Sequence, residues 1–226
     1  MGRLFLFALL SWLLGNPFLA LLVVVALAVP GWLAGSRLAL RLTRRFRAWG
    51  EVGRLRRALE LNPNDAKARV DLAGILAQQG KYREARAEVE QVFARVEDLP
   101  DANYILGLSL LHDGDPERGR SLIERALQIS PKFGYGEPHL RLGDSRADRG
   151  EWEQAVQCYR QATGIYTSSV EGWFKLGKSL AELGKGEEAR AALAEALASY
   201  RSAPWYRRSD DRPWKRRAAR LLRALP

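Results

Sequence analysis

Three observations predict an all-α solenoid built from helical hairpins. Glycines recur at a near-fixed interval, Gly80, Gly114, Gly150 and Gly184, spaced by 34, 36 and 34 residues. A period of this length is that of a helix–turn–helix unit stacked on its neighbours. Small residues recur in register on both helices of each unit: Ala73, Gly107, Gly143 and Gly177 on the first, Ala85, Gly119, Ala155 and Ala189 on the second. Antiparallel helices approach closely only where their crossing points lack bulk. Proline is sparse in the periodic region, and no stretch alternates apolar and polar residues with the period of a strand.

The chain opens with an apolar region, residues 1–35, predicted to be a membrane anchor. Phe18 to Ala34 is seventeen residues without a charge, the predicted span 18–34. At about 1.5 Å per residue, a helix of that length just crosses a hydrocarbon core. A shorter apolar run, Leu4 to Leu14, precedes it across Gly15-Asn16-Pro17, which breaks or kinks a helix. The sequence leaves open whether residues 4–14 cross, enter or lie on the membrane. A cleaved signal peptide fits less well, because the apolar run continues past the small-residue site Ala26-Leu27-Ala28. Arg37, Arg41, Arg44, Arg45 and Arg47 follow the span, whereas Arg3 alone precedes it. That asymmetry predicts a cytoplasmic (inner) membrane location with the repeats facing the cytoplasm, and the five arginines at the membrane surface. Gly31 and Gly35 form a small-xxx-small pair compatible with a weak homodimer.

Residues 36–65 read as a basic juxtamembrane segment and a lone helix ending Ala58-Leu59-Glu60-Leu61-Asn62-Pro63. Residues 66–203 then hold four copies of the hairpin, at 66–99, 100–133, 136–169 and 170–203. A leucine precedes each small residue of the first helix (Leu72, Leu106, Leu142, Leu176). A compact apolar residue recurs near the end of the second (Val92, Ala126, Ala162, Ala196). Copy 4 begins with Trp173, Leu176 and Gly177, and copy 2 ends with Ala126, Leu127, Ile129 and Pro131. In these motifs the region resembles the tetratricopeptide repeat (TPR) family. Copy 1 departs from the pattern, lacking the terminal proline and passing through Glu97-Asp98-Leu99-Pro100. Gly134-Tyr135 is inserted after copy 2, and Thr167 stands where copy 3 would carry proline.

The resemblance implies that the first helices line a concave face that takes a protein segment. The groove ladder would be Val70, Tyr104, Leu140 and Phe174, flanked by Asp144, Asp148, Lys178 and Glu182. An apolar and aromatic strip with acidic sides suits a client segment carrying apolar anchors and Lys or Arg. Chaperone-binding members of the family use a lysine–asparagine clamp. The corresponding places here hold Val70, Gly74, Ile105 and Glu137, and only Arg141 resembles a clamp residue.

Residues 204–226 are predicted to form a basic amphipathic capping helix, with Trp214, Ala218, Leu221, Leu222 and Leu225 on one face. A membrane-surface helix is the alternative use of the same pattern. The formal net charge of +10 is concentrated at the two flanks. Residues 36–57 carry eight arginines against Glu51, and residues 201–226 carry nine basic groups against Asp210 and Asp211, whereas 58–200 is mildly acidic. The high isoelectric point therefore describes the flanks and not the repeats.

No catalytic constellation, phosphate-binding loop or metal-spaced set appears, so no enzyme activity, cofactor or metal is expected. His112 and His139 are the only histidines, and the lone Cys158 forms neither a disulfide nor a cluster within the chain. No nucleic-acid module accompanies the basic tail, which argues against RNA or DNA as the partner. The reading is a membrane-tethered adaptor or assembly factor. Its rivals are a fixed structural subunit of a membrane complex, and a lipid or nucleic-acid binder acting through the basic segments.

Overall fold

A computed structural model describes residues 50–225. The predicted span, the preceding apolar run, the five juxtamembrane arginines and the Gly31/Gly35 pair lie outside the described residues. The chain divides into two compact units, Met1–Gly53 and Arg54–Pro226, and the second carries the repeats. Among the described residues no helix is long and apolar enough to cross a membrane.

Every regular element described is helical. Residues 50–61 are helical (α1). Hairpin 1 pairs α2 (Ala66–Gln78) with α3 (Tyr82–Glu90), followed by the short α4 (Phe93–Val96). Hairpin 2 pairs α5 (Pro100–His112) with α6 (Pro116–Ile129). After a 3₁₀ turn at Phe133–Gly136, hairpin 3 pairs α7 (Glu137–Ala147) with α8 (Trp152–Ile165). Hairpin 4 pairs α9 (Val170–Glu182) with α10 (Gly186–Ser202), and α11 (Arg208–Ala224) closes the stack.

The turns are built alike. Gly80, Gly114, Gly150 and Gly184 all have positive φ, between 72° and 94°. At each, the amide of the next residue reaches back to a carbonyl five positions earlier. These bonds are Lys81 N–H to Leu76 O, Asp115 to Leu110, Glu151 to Arg146 and Lys185 to Leu180, at 2.9–3.1 Å. This left-handed closure satisfies the orphan carbonyls of the first helix and reverses the chain. Three helix starts are capped by side chains: Asp65 accepts from Ala68 N–H, Asp115 from Arg118 N–H and Ser169 from Gly172 N–H. Each such cap stabilises its helix by about 1 kcal/mol.

The recurring small residues sit at the crossings. Ala85, Ala155 and Ala189 are wholly buried, as are Leu72 and Leu106. A Cβ on Gly107 would lie 2.7 Å from the Gly119 carbonyl oxygen, and one on Gly177 would lie 2.7 Å from Leu193 Cγ. Leucines then fill the space between hairpins, each contributing about 1.5–3 kcal/mol by leaving water.

Two irregularities match the sequence departures. In copy 1 the second helix breaks at Val92 (φ −122°, ψ 0°), and Val92 at the break and Val96 after it are both buried in the core. The insertion after copy 2 becomes the 3₁₀ turn, in which Gly134, Tyr135 and Gly136 all take left-handed backbone. Glycine at 136 is also required by space, since a Cβ there would meet the Ala162 carbonyl oxygen at 2.9 Å.

The last helix covers the end of the stack. Ala218, Trp214, Leu221, Leu222 and Leu225 pack against Val170, Phe174, Leu193 and Ala196. Its apolar face is thereby consumed by hairpin 4, which removes that face from any membrane-surface role.

Candidate client-binding groove

A groove of about 750 Å³ opens on the first helices of hairpins 1 and 2. Its floor is apolar: Val70 and Ala77 from α2, Tyr104, Ile105 and Leu108 from α5, and Phe133 from the 3₁₀ turn. Tyr82, at the start of α3, closes one end by stacking on His112, with ring centroids 4.0 Å apart and planes 12° from parallel. Phe133 meets Tyr104 edge-on at 5.6 Å. Asp71, Asp101 and Glu137 stand along the rim and are exposed. Burial pushes the Tyr104 phenol above its usual range, with the nearby Glu137 carboxylate adding to the effect. The phenol is therefore neutral within that apolar floor. Burial, reinforced by the Arg141 guanidinium, holds the His112 imidazole below its usual pKa.

The predicted ladder divides when placed in three dimensions. Tyr104 lines the groove, and Val70, itself only 5% exposed, backs its floor. Leu140 is 5% exposed and belongs to the core between hairpins 3 and 4. Phe174 is 8% exposed and lies under Trp214 of the closing helix, ring centroids 5.7 Å apart. The register that makes the four residues equivalent says nothing of what stacks above them. At the C-terminal end, α11 fills the place a client would take against Phe174.

The flanking charges divide too. Asp144 is the centre of an internal network. It accepts from the Tyr159 hydroxyl at 2.8 Å, from Arg141 at 2.7 Å and from Lys175 Nζ at 2.7 Å. Arg141 also reaches Glu137 at 2.8 Å and Glu171 at 3.3 Å, and Lys175 reaches Glu171 at 2.5 Å. Burial opposes the Arg141 charge, yet the surrounding carboxylates hold the guanidinium above its usual pKa. Burial and the Asp144 carboxylate together push the Tyr159 phenol up. Asp144 thus welds hairpin 3 to hairpin 4. Asp148 is exposed and lines a smaller cavity with Leu108, Arg120 and Arg149. Glu182 and Lys178 are exposed on α9, the latter with its ammonium 6.0 Å from the Trp152 ring.

Several groove residues were beyond the sequence pattern. Tyr82 and Phe133 come from a second helix and an insertion, not from the repeating first-helix positions. The signals available were an aromatic two residues after the turn glycine, and an aromatic beside Gly134-Tyr135. Among the described residues no cluster of His, Cys, Asp and Glu could hold a metal ion.

A tetratricopeptide repeat model matches residues 75–132 and 140–204, and a second model of the same name matches 55–87. Cellulose synthase operon protein C of Pseudomonas fluorescens (strain SBW25) is 30% identical over 159 residues, which are 65% of this chain and 12% of that protein. Protein O-mannosyl-transferase TMTC1 of Homo sapiens is 24% identical over 142 residues, 62% of this chain and 16% of its own. The chain thus spans only a small part of the curated relatives it matches.

Among solved structures, TTC0263, a thermophilic TPR protein of Thermus thermophilus, superposes with a TM-score of 0.60 at 24% identity, over 82% of this chain and 96% of that one. YrrB, described as a TPR protein with an unusual peptide-binding site, gives 0.55 at 18% identity, over 75% and 89%. MamA gives 0.60 at 17% identity, over 70% and 92%. At these identities the likeness is one of fold.

Proposed function

Because the chain belongs to the tetratricopeptide repeat family, whose fold serves protein–protein interaction, we propose that it is a membrane-tethered adaptor. Its client is an extended or helical protein segment held in the groove of hairpins 1 and 2. The observation that carries this is the groove itself, an open apolar floor with exposed acids at its edge. Tyr104, Ile105, Leu108 and Phe133 supply apolar contact, with Val70 beneath them. Among the described residues Asp101 makes no ion pair, which leaves it to meet a Lys or Arg of the client. The predicted span 18–34 would hold the chain in the cytoplasmic membrane, with the repeats on the arginine-rich, cytoplasmic side. Tethering raises the local concentration of a captured client beside membrane partners.

The site is narrower than the four-residue ladder. Phe174 supports the core, so its replacement by Asp would unfold hairpin 4 and report nothing about binding. The informative variants are Tyr104→Ala and Asp101→Arg. The full-length protein and each variant are solubilised in detergent and used to capture clients, identified by mass spectrometry. Loss of the same client from both variants, with helical circular dichroism retained, is the expected result. Retention of every client by both would exclude the groove. A reporter fused after Pro226 tests the orientation, and activity confined to the far side of the membrane would overturn it.

A further inference from the structure

The closing helix spends one face on hairpin 4 and leaves another to solvent. Arg212, Lys215, Arg216, Arg220 and Arg223 are all exposed. At about 100° per residue they fall within an arc of about 140°, beside the inward-facing arc of Trp214, Ala218, Leu221 and Leu222 and not overlapping it. Among the described residues none of the five forms an ion pair. The helix's two acids, Asp210 and Asp211, sit in its first turn, so no carboxylate of the helix interrupts the basic face beyond them. Lys215 has its ammonium 5.8 Å from the Tyr200 ring, and the other four have no aromatic or carboxylate partner among the described residues. Five cations without an ion pair along about 17 Å of helix are not needed for capping, since the buried face alone accomplishes that.

A second observation lies beside them. In the turn before the helix, Trp205 and Tyr206 are 56% and 50% exposed. Their rings meet edge to face at 6.0 Å, and neither belongs to the core of hairpin 4. An exposed indole and phenol next to a basic face is the composition that partitions to the headgroup layer of a membrane. A nucleic-acid strand would instead need aromatic faces open for successive bases to stack. These two rings meet edge to face and so offer no parallel pair of faces for successive bases.

From this we infer that the outer face of α11, with Trp205 and Tyr206, is a docking surface for anionic phospholipid headgroups. The contact is peripheral, because the apolar face of the helix is already buried. The protein is then held at the bilayer by two separate elements. The inference rests on the proposed membrane location, and the experiment separates the two. Each basic side chain beside an anionic surface raises affinity about fivefold, so five act strongly together.

The test uses full-length protein carrying Cys158→Ser and Ser209→Cys, labelled at position 209 with an environment-sensitive dye. It is mixed with vesicles of phosphatidylcholine alone or with phosphatidylglycerol. The dye response is expected only with phosphatidylglycerol, and is lost as ionic strength rises from about 0.05 to about 0.5 M. Replacing the five basic residues by Gln is expected to weaken it more than about a hundredfold. Alkali-resistant flotation of the same samples reports the span separately. Flotation without a phosphatidylglycerol response overturns this inference and leaves the tether intact. The response without flotation sustains the docking surface and removes the tether. A response retained in the Gln variant, or one given by single-stranded RNA and not by phosphatidylglycerol, overturns the inference.

Discussion

Gly107 and Gly119 form a crossing in which backbone meets backbone from both sides. A Cβ on Gly107 would meet Gly119 O at 2.7 Å, and one on Gly119 would meet Gly107 O at 2.8 Å and Leu111 N at 2.9 Å. All three of these obstacles are backbone atoms that cannot turn aside, so the helices themselves must separate. Gly107→Ala is expected to destabilise the protein by about 2 kcal/mol or more, read as a lowered urea midpoint. Gly164 in α8 is the control, because a Cβ there meets nothing within 4 Å and its φ is not positive. Gly164→Ala should stabilise by about 0.5–1 kcal/mol through the unfolded chain. The register of small residues, and hence these crossings, was legible in the sequence. Their neighbours were not: Gly143 faces the Tyr159 ring in place of backbone. Asp144, which looks on paper like a free acid of the groove, is consumed by Tyr159, Arg141 and Lys175. Periodicity names the positions that repeat, whereas Tyr159 and Lys175 come from neighbouring helices with no fixed sequence offset, and only Arg141 lies at a helical spacing on α7 itself.

Among the elements, the closing helix carries a buried acid that should make its docking pH-dependent. Asp211 is 8% exposed, its Oδ2 has no hydrogen-bond partner, and Arg207 stands 3.8 Å away. Burial raises its pKa, and Arg207 only partly offsets this. The folded state therefore binds this proton more tightly than the unfolded state. That contribution to stability is full below the unfolded pKa and is lost as pH rises through the raised folded value. Asp211→Asn should flatten this segment of the stability–pH curve, followed by chemical denaturation at a series of acidic pH values. An unchanged curve would mean that Asp211 gains solvent or a partner in solution. The amphipathic face of α11 was evident from spacing alone. Its consequence for Phe174 was not, because the 203–207 turn shifts the closing helix off the interval that relates the repeats. A ladder extrapolated by period leaves the last rung open when a non-repeating helix covers it.

Across the whole molecule, a stack in which each hairpin touches only its neighbours has stability distributed along its length, with weak points where a unit is irregular. Hairpin 1 is such a point, since its second helix breaks at Val92 and α4 contributes only Val96 to the core. Hairpins 3 and 4 are the opposite case. They share the Asp144 network and a continuous core running from Leu140 through Tyr159 and Leu176 to Ala192, sealed by α11. Amide hydrogen exchange should therefore be fastest in α3 and α4 and slowest in α8, α9 and α10. Trp214→Ala removes the ring that covers Phe174 without touching hairpins 1 and 2. If coupling passes only between neighbours, this substitution accelerates exchange in α9 and α10 while leaving α2 to α4 near their parental rates. Uniform acceleration from α2 to α10 would instead mean that the repeats unfold as one unit. In that case the groove of hairpins 1 and 2 would depend on the closing helix for its order, and client binding should weaken in Trp214→Ala in the same proportion. The repeat count and the order of hairpins follow from the sequence period. This distribution of stability does not, because it is set by the Val92 break, the Asp144 network and the closing helix, the three features that depart from the period.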